Sequence, residues 1–160
     1  MSAEHIELIR AMAVFGGLSD SALSWLLDRT HEREVDTGEC FFESGQPADS
    51  LYVLERGRVA VLRSTEDGLW QLAELGPGDC FGEMSLIDFN PRSATVRAVE
   101  PCLAIEIPQA EIHALYEHDL KQFTLIQMNF ARELSRRLRR ADELVCQTLK
   151  QAAAGHRYST

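Results

Sequence analysis

Apolar residues recur along this chain in two distinct rhythms. Ile6, Leu8, Ile9, Met12 and Ala13 follow helical spacing, as do Ala22, Leu23, Leu26 and Leu27, so two short helices are predicted near the N-terminus. Gly16-Gly17 ends the first. Ser19 or Asp20 caps the second, its side-chain oxygen accepting one of the opening N–H groups. From residue 51 the period falls to two. Leu51-Tyr52-Val53-Leu54 and Val59-Ala60-Val61-Leu62 flank Glu55-Arg56-Gly57-Arg58, which predicts a hairpin with Gly57 at positive φ. Residues 69–75, 94–99 and 102–107 add further strands. Seven of the ten glycines lie between Gly38 and Gly82, and all five prolines between Pro47 and Pro108. Short strands stopped at regular intervals predict a mostly β fold with flanking helices, built as an antiparallel β jelly-roll barrel.

Beyond Pro108 the helical rhythm returns. Residues 109–117 read as a short helix, and Asp119 or its neighbours cap a long one ending near Lys150. Phe123, Ile126, Phe130, Leu134, Leu138, Ala141, Val145 and Leu149 form one apolar stripe at steps of three and four. The stripe extends about 40 Å at about 1.5 Å per residue, more than the barrel can cover, so its distal part is expected to meet the same helix of a second chain. The chain thus divides into N-terminal helices (1–30), a β-barrel (31–108), C-terminal helices for lid and dimerisation (109–150) and a small, polar tail (151–160) expected to be disordered.

Composition narrows the functional classes. The 160 residues are 45% hydrophobic and 26% charged, which suits one soluble domain plus a long helix. A formal charge of −9 argues against a surface that grips nucleic acid. The basic run Arg136-Arg137-Leu138-Arg139-Arg140 reads as the flank of an amphipathic helix, so no DNA contact is expected from this chain alone. No apolar run approaches the roughly 18 residues of a membrane span, and residues 1–10 lack the basic and apolar regions of a secretory signal. Cys40, Cys80, Cys102 and Cys146 stand far apart in apolar surroundings, as buried free thiols of a reducing cytoplasm would. No metal is expected: His113 and His118 have no cysteine or carboxylate cluster to complete a site.

One segment differs from the rest: Gly78-Asp79-Cys80-Phe81-Gly82-Glu83-Met84-Ser85-Leu86-Ile87-Asp88-Phe89-Asn90-Pro91-Arg92-Ser93-Ala94-Thr95. A strand ends at Phe81, Gly82 permits close backbone approach, and a short helix opens with outward-facing N–H groups that suit an anion. Asn90-Pro91 turns the chain back and delivers Arg92, whose planar fork matches phosphate oxygens. Glu83 tolerates an anionic ligand only if its carboxylate accepts from ligand hydroxyls, so a sugar phosphate meets both demands. Catalysis is disfavoured, because no histidine stands in this segment to activate Ser85 or Ser93. Glu83 and Asp88, five apart, diverge by about 140° on a helix and make a poor pair for glycoside chemistry.

Phe81-Gly82-Glu83-Met84-Ser85-Leu86 followed by Pro91-Arg92-Ser93-Ala94-Thr95 resembles the phosphate-binding cassette of the cyclic nucleotide-binding domain family. That family includes the bacterial catabolite activator and the regulatory subunits of protein kinase A. The resemblance covers about residues 12–150, including Phe15-Gly16-Gly17-Leu18-Ser19 and the Leu51–Val59 hairpin. It implies that Arg92 pairs with the cyclic phosphate and that Glu83 accepts from the ribose 2′-hydroxyl. Backbone N–H groups of Gly82, Glu83, Met84 and Ser85 would hold the phosphate, with Ser93 adding a hydroxyl near phosphate or base. Leu72 and Ala73 would line the pocket, and Arg137 on the long helix would stand beside the cassette glutamate. Where the catabolite activator offers Thr-Ser to adenine, Ala141-Asp142 stand here. Asp142, an acceptor only, suits guanine or is a solvated helix position.

The expected function is a cyclic nucleotide sensor for cyclic AMP or cyclic GMP, cytoplasmic and homodimeric through its C-terminal helix, which moves on ligand binding. Two alternatives remain. One is a protein-interaction adaptor with a degenerate pocket. The other is the regulatory piece of a larger effector, since no winged helix follows the long helix. A cupin-like enzyme is disfavoured because no histidine lies between Cys40 and Leu103.

Overall fold

The strand Ser50–Arg56 (β3) organises the molecule, because alternate residues leave it toward two different cores. The computed structural model describes residues 3–152, with side chains from residue 6 onward. Leu51 and Val53 point to a helical layer, while Tyr52 and Leu54 point into the space between two sheets. The strand Cys102–Pro108 (β8) is divided in the same way, with Ile105 and Ile107 on the helical side and Cys102 and Ala104 on the inner side.

Two four-stranded antiparallel sheets result. In the first, β3 and β8 are central, flanked by His31–Val35 (β1) beside β8 and Cys80–Phe81 (β6) beside β3. In the second, Cys40–Phe42 (β2), Thr95–Ala98 (β7), Val59–Thr65 (β4) and Gly68–Leu75 (β5) lie side by side in that order. This is jelly-roll order, folded as two facing sheets with open edges rather than a barrel closed all round. The edges stay open because β6 has only two residues and β5 is exposed along its whole length until Leu75. Gly57 turns β3 into β4 at φ +90°, where a Cβ would lie 2.5 Å from the Pro101 carbonyl oxygen.

Helices cover the first sheet. Ala3–Arg10 (α1) and a 3-10 turn at Ala13–Phe15 precede Asp20–Leu27 (α2), capped by the Ser19 hydroxyl, which accepts from the Ala22 N–H at 3.2 Å. A helix at Met84–Asp88 (α3) follows β6. Gln109–His118 (α4) and Leu120–Ala152 (α5) complete the chain, with Asp119 Oδ1 accepting from the N–H groups of Lys121 and Gln122. The helix continues through Gln151 and Ala152, two residues that the sequence pattern assigned to a disordered tail; residues 153–160 lie outside those described. Two buried amides tie α5 to the N-terminal segment. Asn129 donates to the carbonyls of Val14 and Gly16, and Gln122 accepts from the Ser19 N–H.

The cysteines depart from expectation. Cys80 and Cys102 are buried, Cys40 is half-buried and Cys146 is exposed on α5; all four are free thiols. The apolar neighbours of Cys146, Val145 and Leu149, belong to the part of α5 that leaves the domain and are exposed with it.

Candidate functional site

The site forms where β6 ends. Gly82 takes φ +83°, which lets the backbone leave the strand and enter α3 with Glu83 at the cap. A Cβ at Gly82 would lie 2.6 Å from Arg92 Nη1 and 3.3 Å from the Phe42 ring. Glycine is therefore favoured by conformation, and a side chain here would also displace the Arg92 guanidinium. The first N–H groups of α3 have no intrahelical acceptor, as at any helix start. Phe89 closes α3 in the left-handed region at φ 58° and is exposed, and Asp88 accepts from the Asn90 N–H.

Two charged side chains are buried here, Glu83 at 1% exposure and Arg92 at 4%. Arg137 of α5 reaches across to the first. Its Nη1 donates to Glu83 Oε1 at 2.9 Å, Nη2 to the Cys80 carbonyl and Nε to Glu133 at 3.2 Å. Glu83 Oε2 is buried without a partner among the described residues. Burial pushes the Glu83 carboxyl above its usual range, and Arg137 pulls it partly back. Burial also works against the charge on Arg137, but the carboxylates of Glu83 and Glu133 outweigh it and raise that pKa.

Arg92 has no such partner. Nη1 donates to the Gly82 carbonyl at 3.1 Å and Nη2 to the Ser50 carbonyl at 2.7 Å, while Nε is buried and unpaired. Burial lowers its pKa. A guanidinium carries five N–H groups, so three stay open. A buried cation with open donors beside a buried carboxylate with an open acceptor suits a ligand that is an anion at one end and a hydroxyl donor at the other.

Phe42, Leu75, Gly82, Glu83, Arg92 and Arg137 border a cavity of only about 70 Å³, together with Met84, Ser85 and Ser93. Sites for small organic ligands run to about 300–1,000 Å³, so this opening is small for one. Behind α3, against α4 and α5, lies a second cavity of about 890 Å³ lined by Leu86, Ile87, Ile112, Phe123 and Phe130, with Glu83 at its border.

Of the residues singled out from the sequence, the fold gathers Gly82, Glu83, Met84, Ser85, Arg92, Ser93 and Arg137 around one cavity. Leu72 and Ala73 lie elsewhere. Both are exposed on the edge strand β5, and only Leu75 of that strand borders the cavity. Asp142 is exposed, one and a half turns beyond Arg137 on α5 and outside the cavity. Sequence reasoning missed Phe42, the Ser50 and Cys80 carbonyls and Glu133. Only Glu133 had left a signal, standing four residues before Arg137 on a helix.

Fold and site together define a two-sheet β-domain flanked by helices, whose buried charges suit an anionic, hydroxyl-bearing molecule. Comparison with known proteins gives the family: residues 32–119 match the cyclic nucleotide-binding domain, and the chain belongs to that family. The cyclic AMP receptor protein of Thermus thermophilus is 34% identical over 139 residues, covering 84% of this chain and 61% of that protein. A cAMP-dependent protein kinase regulatory subunit of Yarrowia lipolytica is 35% identical over 107 residues, covering 64% of this chain and 28% of that one. The chain thus spans about three-fifths of the first relative and under a third of the second. A crystal structure of a cyclic nucleotide-binding domain from Methylobacillus flagellatus shares the fold at TM-score 0.84, with 23% identity, covering 91% of this chain and 84% of that one.

Proposed function

We propose that this chain is a cyclic nucleotide sensor without catalysis of its own, and that cyclic AMP is its ligand ahead of cyclic GMP. The observation that carries the reading is the pair of buried, incompletely satisfied charges facing one cavity: Arg92 with three open donors and Glu83 with an open Oε2. Arg92 takes the cyclic phosphate, helped by the N–H groups of Gly82, Glu83, Met84 and Ser85 and by the Ser93 hydroxyl. Glu83 Oε2 accepts from the ribose hydroxyl while Oε1 stays on Arg137. The ligand and α5 therefore share one carboxylate, which couples occupancy of the site to the position of the helix. Two relatives carry cyclic AMP in their names.

The distal part of α5 supports a homodimer. Leu138, Val145 and Leu149 of the stripe are more than half exposed, with Leu144 beside them. With Ala141 between Leu138 and Val145, the stripe recurs at three- and four-residue steps, as a helix seam between two copies requires.

Calorimetric titration with cyclic AMP and cyclic GMP tests the site. Arg92→Ala should cost about 2–5 kcal/mol of binding, because a desolvated phosphate loses its charge partner. Glu83→Ala should cost about 1.5–3 kcal/mol, one charge-assisted hydrogen bond. The nucleotide should be recovered unchanged. Parent affinity in Arg92→Ala, or turnover at enzymatic rates, would overturn the reading.

A further inference from the structure

Arg92 poses a physical problem that the cassette by itself does not solve. The residue is 4% exposed, its bonds go to two neutral carbonyls, and no ion pair forms on it among the described residues. A buried guanidinium without a counter-ion needs stabilisation from another source while the site is empty. The geometry supplies one: the guanidinium carbon sits 4.1 Å from the centroid of the Phe42 ring, with Tyr52 more distant at 5.9 Å.

The placement of Phe42 depends on an irregularity in β2. In a regular strand, neighbours face opposite sides, yet Phe41 and Phe42 are both buried in the inner core. The register shows how. Cys40 pairs with Arg97 and Phe42 with Val96, so two steps on β2 oppose one on β7. Such a bulge re-aims a side chain. Immediately after it, the chain grips the backbone of Arg92: the Gly45 N–H donates to the Arg92 carbonyl at 2.8 Å, and the Arg92 N–H donates to the Gln46 carbonyl at 2.9 Å. One short segment thus holds the main chain of Arg92 and presents an aromatic face to its side chain. Gly82, without a Cβ, leaves the guanidinium room on a further side.

We propose that Phe42 is a positioning residue for Arg92: its ring stabilises the guanidinium by a cation–π contact and fixes the plane in which the open N–H groups meet an anionic ligand. The inference rests on the proposed role of Arg92 in phosphate binding. Isosteric apolar residues would fill the same space, but only an aromatic face supplies negative potential to the cation.

The test separates the ring's potential from its volume. Phe42 is replaced in the full chain by mono-, di- and pentafluorophenylalanine, by Leu and by Tyr, and cyclic AMP affinity is measured for each beside thermal stability. Affinity should fall stepwise with fluorination, by roughly 2- to 30-fold in total. Leu should match the pentafluoro ring, and Tyr should retain parent affinity. The fluorination effect should vanish in an Arg92→Ala background, as coupled residues require. Affinity that stays level across the series, while Arg92→Ala still binds poorly, would make Phe42 a packing residue and end the proposal. Parent affinity in Arg92→Ala itself would instead remove the phosphate reading on which it stands.

Discussion

Arg137→Ala isolates the contact that joins α5 to the cassette. The substitution removes the 2.9 Å bond to Glu83 Oε1 and the bond to the Cys80 carbonyl, and leaves a carboxylate of 1% exposure without a cation. Removing one member of a buried ion pair costs about 3–5 kcal/mol. The Arg137 side chain is 27% exposed, so solvent screens part of the pair and about 2–3 kcal/mol at neutral pH is the better expectation. The pH dependence carries the diagnosis. Burial already holds the Glu83 pKa above its usual range in the folded chain. A carboxyl raised in this way contributes stability that is full below its unfolded pKa and is lost as pH rises through the folded value. Without Arg137 the folded value climbs further, so more stability is lost on the way to neutral pH. The destabilisation should therefore be largest at pH 7–8 and shrink toward pH 4, where Glu83 is neutral in parent and variant alike. Urea denaturation at several pH values measures it. A loss that is constant between pH 4 and pH 8 would refute the ion-pair account and reduce Arg137 to a packing residue.

Three other outcomes follow from the same geometry. Gly57→Ala, at φ +90° with its Cβ 2.5 Å from the Pro101 oxygen and 2.7 Å from Cys102 Sγ, should lose about 2–4 kcal/mol in thermal or urea unfolding; parent stability would show that the hairpin adjusts freely. The parent should sediment as a dimer at micromolar concentration, and Leu138→Glu with Val145→Glu as a monomer; a monomeric parent would count against the α5 seam. Asp142→Asn should leave the ratio of cyclic AMP to cyclic GMP affinity unchanged in paired titrations, whereas a shift toward cyclic AMP would place Asp142 on the purine.

Local chemistry sets much of this protein's structure. The Ser19 cap, the Gly57 turn, the stop at Gly82 and the start of α5 after Asp119 are each set by residues within a few positions, so the string of residues suffices to locate them. The cassette is legible for the same reason: Gly82, Glu83 and Arg92 lie within one short stretch of chain. Strands β1 and β2 were not legible. His31–Val35 is exposed except at Val35 and shows no alternation, and Cys40–Phe42 is three residues long with a bulge. Their pairing comes from β8 and β7, between 54 and 75 residues away in sequence. Leu72 and Ala73, placed at the pocket by resemblance, sit on an edge strand outside the cavity, and which strand forms an edge is decided by the pairing of distant segments. The exposure of Leu138, Val145 and Leu149 agrees with the stripe's length, which exceeds what the β-domain can cover. Glu83 and Arg92 acquire their character only by burial: one keeps an acceptor open beside Arg137, and the other rests on Phe42. Desolvation, and the aromatic face brought by a bulged strand fifty residues earlier, are products of long-range packing, and no local pattern in the chain encodes them.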